Sequence, residues 1–276
     1  MKPMRLIIKK GIVELTILFF TVIFAAGCAR RHSITMAGST AFLPFAEQLA
    51  EDYMKKFPGT NINVQGGGSA VGIQSALNGT AQIGMADLIT LPESAKDLKK
   101  FVAANDGICL IVHPSNKVEN LTTKQIRGIY SGEIKNWKEV GGIDKPITVV
   151  SREAGSGTRS SFEDLMFKGI KLAGSAIIGD SNGTVREMVI NDPYAIGYIS
   201  HGVVNEKVKA LKVDGVPPEY DNFVCGRYKL LRPIYLLIRA EYETQTKEIL
   251  EYILGPEGQD TIKEQGLIPA GACGKY

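Results

Sequence analysis

The sequence predicts an α/β protein with mainly parallel sheets. Short β-like runs alternate with amphipathic helical segments from residue 33 onward. The chain has 276 residues, 44% of them hydrophobic, enough for one large core or two smaller ones. No internal repeat, low-complexity tract or long linker divides it, so two domains, where present, are interleaved.

The elements follow in order. "SITMAG" (33–38) is a short strand ending in glycine. "LPFAEQLAEDYMKKF" (43–57) repeats Leu49, Tyr53 and Phe57 at helical spacing, with Ala46, Ala50 and Met54 beside them, and Pro58-Gly59 stops it. "NINVQ" (61–65) alternates like a strand, "AVGIQSALNG" (70–79) reads as a helix, and "AQIGMAD" (81–87) as a strand. "DGICLIVHP" (106–114) is a longer apolar strand. "TTKQIRGIYSGE" (122–133) is a helix with a threonine cap. "ITVVSR" (147–152) is a strand, and "SSFEDLMFKG" (160–169) continues a helix opened by Gly-Ser-Gly-Thr. "AIGYIS" (195–200) and "RPIYLLIRA" (232–240) are strands, and "TKEILEYILG" (246–255) is an amphipathic helix. Segments 107–113 and 232–240 are the candidates for crossing between two domains.

The first residues stand apart from the fold. Lys2, Arg5, Lys9 and Lys10 form a basic head, followed by the apolar run "LTILFFTVIFAAG" (15–27) and Cys28. That run is short for a membrane span of about 20 residues and fits the apolar region of a secretory signal. "AAGC" is similar to a lipoprotein signal, which would make residues 1–27 a removed leader and Cys28 a lipidated N-terminus. Ala25 stands where leucine is commoner, and a plain signal peptide or a short N-terminal anchor is the alternative. Removing the leader takes four basic and one acidic residue from 32 and 29, leaving 28 of each. A neutral chain without a basic run argues against a nucleic-acid partner. Cys109 lies in an apolar run and reads as a buried hydrophobe. Cys225 and Cys273 form a disulfide only if the fold brings them together, which sequence alone does not decide. His32, His113 and His201 are isolated, with no metal-ligand spacing.

Four loops share one chemistry: "AGSTAFLP" (37–44), "QGGGSAVG" (65–72), "GMADLIT" (84–90) and "SREAGSGTRSS" (151–161). A helix start leaves backbone N–H groups without intrahelical partners and carries a partial positive charge. The two together suit an anion. In the last loop Ser156 and Thr158 add hydroxyls, and Arg152 adds a planar fork of donors matched to an oxyanion. A serine or threonine before a helix is commonly just a cap. Capping accounts for Gly-Ser-Thr or Gly-Gly-Gly-Ser alone, and neither is a P-loop. A cap does not require two hydroxyls, two glycines and an arginine. Taken singly, Arg152 reads as an ion pair with Glu153 or Asp164, and Asp87 as a turn residue or cap.

In this order, the loops resemble those of the phosphate-binding proteins of bacterial ABC phosphate importers, the PstS-like group. "IYSGEIKNWKEVGG" (129–142) together with "REAGSGT" carries the resemblance most specifically, and it covers nearly all of the chain after the leader. It implies two interleaved α/β domains, 33–112 plus 226–276 and 113–225, joined by two crossover strands around a ligand cleft, as in type II periplasmic binding proteins. It implies a dehydrated phosphate held by Ser39, Thr40 and the Ala41 backbone, by Ser69 and Asp87, and by Arg152, Ser156, Gly157 and Thr158. Many members read Ser-Ser-Arg where this chain has "ADL", with serine at the position of Asp87. A carboxylate there repels an oxyanion unless the ligand brings a proton, which phosphate does at neutral pH and sulfate does not. The partners implied are inorganic phosphate, the importer's membrane permease and, through Cys28, a membrane; a monomer without cofactor is expected, outside the cytoplasm. A receptor for sulfate or molybdate and a phosphate sensor are the alternatives. An enzyme is disfavoured, because Ser156 lacks the Gly-x-Ser-x-Gly elbow and no histidine neighbours it in sequence.

Overall fold

The computed structural model describes residues 32–167 and 169–272. The leader, Cys28 and Cys273 lie outside them, and with them the lipidation site and the Cys225–Cys273 pairing. Strands β1 (His32–Gly38), β2 (Thr60–Gln65), β3 (Ile83–Ala86), β4 (Lys99–Val112), β6 (Thr148–Arg152), β7 (Ile177–Gly179), β8 (Ala195–Ser200) and β11 (Leu231–Ile238) form one curled sheet in the order β2-β1-β3-β11-β4-β8-β6-β7. Strands β9 (Lys209–Ala210) and β12 (Ile268–Pro269) add to β4, while β5 (Asn120–Leu121) pairs separately with β10 (Lys212–Val213). Pairing is parallel on both wings, β2-β1-β3 and β8-β6-β7, and antiparallel where β11 and β4 run through the middle. The wings are parallel because their strands are joined through helices.

Helices α1 (Leu43–Lys56) and α2 (Ser69–Asn78) serve the first wing; α4 (Gly157–Met166) and α5 (Asn182–Asn191) serve the second. Between them lies α3 (Thr123–Ser131), and α6 (Tyr220–Val224), α7 (Glu243–Leu254) and α8 (Pro256–Glu264) follow. Two main cores result. One gathers Ile34, Phe42, Leu49, Ile83, Ala104, Ile234 and Ile253; the other gathers Ile108, Trp137, Phe162, Val185, Tyr198 and Leu231. These cores define two lobes. β4 serves both: residues 99–107 pair with β11 and residues 108–112 with β8. β11 starts in the second core at Leu231 and is in the first by Ile234. Both expected crossings are therefore present and adjacent, with Arg232 opposite Asp106 in register.

β4 begins seven residues earlier than its apolar pattern suggests. Asn105-Asp106-Gly107 reads as a turn signal, yet here it continues a strand whose residues 103–112 are all buried. The helix opened by Gly-Ser-Gly-Thr begins at Gly157, which makes Ser156 its N-cap. Pro256 at the first position of α8 is a helix start rather than a break.

Candidate functional site

Three helix starts converge between the lobes. α2 lies on β1 and β3 at backbone contact, because residue 72 is glycine. A Cβ there would stand 2.3 Å from the Met85 carbonyl oxygen and 2.9 Å from that of Ala37. This close approach brings Ser69, the first residue of α2, to Asp87 at the end of β3. Ser69 Oγ donates to Asp87 Oδ1 at 2.5 Å and accepts from the Asp87 N–H at 3.0 Å.

The opposite lobe closes onto the same carboxylate. Thr158 Oγ1, in the first turn of α4, donates to Asp87 Oδ2 at 3.1 Å, and Ser161 Oγ donates to the Asp87 carbonyl at 3.1 Å. The Ala70 N–H donates across the cleft to the Gly155 carbonyl at 3.1 Å. Gly157 allows this approach, since a Cβ on it would fall 2.1 Å from Ser69 Oγ and 2.6 Å from Asp87 Oδ1. Arg232 comes to Asp87 from β11, with Nη1 2.7 Å from Oδ2, and its Nη2 sits 2.8 Å from Asp106 Oδ2. All three residues are buried. Burial pushes the Asp106 carboxyl upward and the nearby Asp87 adds to this, while Arg232 and the Ser200 hydroxyl oppose it.

Arg152, at the end of β6, is 1% exposed. Its Nε and Nη2 donate to the two Glu153 carboxylate oxygens at 2.9 and 2.8 Å. The local ion pair foreseen as the bland reading is therefore real, but it uses only part of the fork. Nη2 also donates to Thr40 Oγ1 at 3.3 Å, and Nη1 is buried with no hydrogen-bond partner among the described residues. Asn182 Nδ2 donates to the same Thr40 Oγ1 at 3.2 Å, while its Oδ1 accepts from the Ser200 N–H at 3.0 Å.

Of the residues singled out from sequence, Thr40, Ser69, Asp87, Arg152, Gly157 and Thr158 are brought together at the contact between lobes. Ala41 is buried beside Thr40. Ser39 Oγ accepts from the Phe42 N–H, and Ser156 Oγ accepts from the Arg159 N–H, so both hydroxyls cap their own segments. Sequence reasoning missed Asn182 and Arg232. Asn182 stands in "SNGT", which resembles a turn, and Arg232 adjoins a proline in an apolar strand. An arginine within so apolar a run, with Asp106 in the other crossing strand, was the available signal.

The comparisons with known proteins agree with this architecture. Residues 25–257 match the family model of the PBP superfamily domain. The phosphate-binding protein PstS of Bacillus subtilis is 35% identical over 242 residues, covering 86% of this chain and 80% of that one. The chain belongs to the PstS family. Its PstS relatives include that of Borreliella burgdorferi, 28% identical over 85% of this chain and 89% of the other. Among solved structures, a phosphate ABC transporter substrate-binding protein from Clostridium perfringens with bound phosphate superposes with a TM-score of 0.84. It is 40% identical over 86% of this chain and 99% of its own. An ABC-type phosphate transport receptor from Vibrio cholerae gives 0.72 at 38% identity, covering 85% and 99%.

Proposed function

We propose that the protein is a lipid-anchored extracytoplasmic receptor. In this reading it captures inorganic phosphate between its two lobes, which divide within β4 and β11, and delivers it to the membrane permease of an ABC importer. The observation that carries the reading is Arg152 Nη1, a buried guanidinium donor that no group among the described residues accepts from. An unmade hydrogen bond of a buried charged group costs more than the roughly 1–3 kcal/mol of a neutral one. An oxyanion at the convergence of the loops removes that penalty. The names of the relatives and the bound phosphate in the Clostridium structure support phosphate as that oxyanion.

The ligand set proposed from sequence divides by role. Thr40 Oγ1 already accepts from Arg152 and Asn182, so both its acceptor positions are filled and its proton is free for the ligand. The backbone N–H of Ala41, in the turn before α1, and that of Gly157, the first residue of α4, supply donors with no helical partner. Ser69 and Thr158 orient Asp87 through their hydroxyls, while Ser39 and Ser156 hold the helix starts. Asp87 accepts the ligand's proton, which selects phosphate over sulfate. Residues from both lobes engage the ligand, so it favours the closed form by its differential affinity. The permease then reads closure.

The deciding experiment is calorimetric titration of the ligand-stripped protein with phosphate, sulfate and molybdate at pH 7. Tight phosphate binding with no sulfate response is expected. Preferential sulfate or molybdate binding would reassign the ligand, and silence toward all three would remove the receptor reading.

A further inference from the structure

The two crossing strands hold charges where an apolar core would ordinarily continue. Arg232 and Asp106 are opposite each other in the β11–β4 register, and both are 0% exposed. Arg232 Nη2 and Nε reach Asp106 Oδ2 at 2.8 and 3.3 Å, and Ser200 Oγ donates to Asp106 Oδ1 at 2.8 Å. The remaining arm, Nη1, lies 2.7 Å from Asp87 Oδ2 and 3.5 Å from the Asp87 carbonyl. One desolvated guanidinium is thus shared by two desolvated carboxylates. Such a trio is a poor source of stability compared with apolar packing of the same volume.

Counting acceptor positions gives the trio a purpose. An ionised carboxylate has about four lone-pair positions. Three of those on Asp87 are filled, by Ser69 on Oδ1 and by Thr158 and Arg232 on Oδ2. One position on Oδ1 remains. We propose that Arg232 is a specificity-determining positioning residue, which holds the Asp87 carboxylate in place so that its remaining acceptor position admits only an oxyanion still carrying a proton. This rests on the phosphate reading and deepens it.

Without Arg232, Asp87 and Asp106 would be two buried carboxylates with no cation between them, and one would take up a proton. A protonated Asp87 donates rather than accepts, and a proton-free oxyanion such as sulfate then finds a partner. The groups in contact with Asp87 are Arg232 from β11, Ser69 from α2, and Thr158 and Ser161 from α4. Asp106 on β4 faces it across the shared Arg232 guanidinium.

The test uses the purified full-length protein with ligand removed, titrated with phosphate and with sulfate between pH 5.5 and 8.5. In Arg232→Gln the preference for phosphate over sulfate should fall by about 100-fold, the scale of one unmatched buried charged hydrogen bond. Sulfate binding should appear first at the acid end. Arg232→Lys keeps the charge but loses the fork, and should lose roughly 10-fold of the preference. A folded Arg232→Gln with the wild-type preference at every pH overturns the proposal. So does a parallel loss of both anions, the mark of a merely structural role. If Arg232→Gln does not fold, a folded Arg232→Lys with unchanged preference and pH profile overturns it equally. Wild-type protein that takes sulfate as readily as phosphate rejects the phosphate reading itself, which separates the two failures.

Discussion

Thr40 Oγ1 receives donors from two residues of the opposite lobe, Arg152 and Asn182. Thr40→Val keeps the shape and removes the hydroxyl. It should weaken phosphate binding by about 10–100-fold, since one donor is lost and two buried ones go short of an acceptor. Calorimetry beside an unchanged far-ultraviolet spectrum checks this. Arg152→Ala should lose at least roughly 100-fold by the same measurement, as it removes a charged donor fork; normal affinity in that variant would sink the site. Arg152 was legible because its own loop supplies the glycines, hydroxyls and helix start around it. Asn182 and Arg232 were not, because their partners lie 142 and 145 residues away. Sequence spacing cannot show a contact made by two crossings and a sheet.

The strand-to-helix elements were legible from period and punctuation, because each carries its own start. α3 is an example: Thr122 accepts from the Gln125 N–H, and the Gln125 side chain returns the bond. Thr122→Ala should cost about 1 kcal/mol of stability in denaturant unfolding and leave phosphate affinity unchanged. The start of α4 behaves differently, because it closes the cleft as well as beginning a helix. Gly157→Ala puts a methyl where Ser69 Oγ and Asp87 Oδ1 already stand. We expect it to abolish tight phosphate binding in calorimetry while leaving the unliganded protein folded by circular dichroism. Near-normal affinity would mean that the closed contact is not the binding form. β4 was the element least legible at its start. Asn105-Asp106-Gly107 imitates a turn, and only tertiary pairing, with Ser200 and Arg232 donating to the Asp106 carboxylate, keeps it extended.

At the scale of the whole molecule, a ligand that bridges two lobes is a thermodynamic brace. Phosphate at 100 times its dissociation constant should add about 2.7 kcal/mol. At roughly 2–4 °C per kcal/mol for a chain of this size, the melting temperature should rise by about 5–10 °C, and sulfate should leave it in place. Differential scanning calorimetry with each anion decides between these. Membrane attachment is tested separately: Cys28→Ser should move the protein from the membrane fraction to the soluble extracytoplasmic fraction. Retention on the membrane would favour an uncleaved N-terminal anchor over a lipid.

The start of the described chain belongs to one side of the crossing, and its far end sits on the crossing itself. β1, which opens the described residues at His32, is an inner strand of the first lobe, while β12 near the other end pairs with Asn105 and Ala104 on β4 and buries Ile268 in the second core. The second lobe is entered through β4, left through β11 and touched again at β12. Mechanically, the first lobe is a post and the second a jaw. A leash joined before residue 32 pulls on the post alone, so it neither loads the jaw nor resists its swing. Under the anchoring and closure proposed above, such a receptor would be tied down tightly and still open and shut as freely as one adrift.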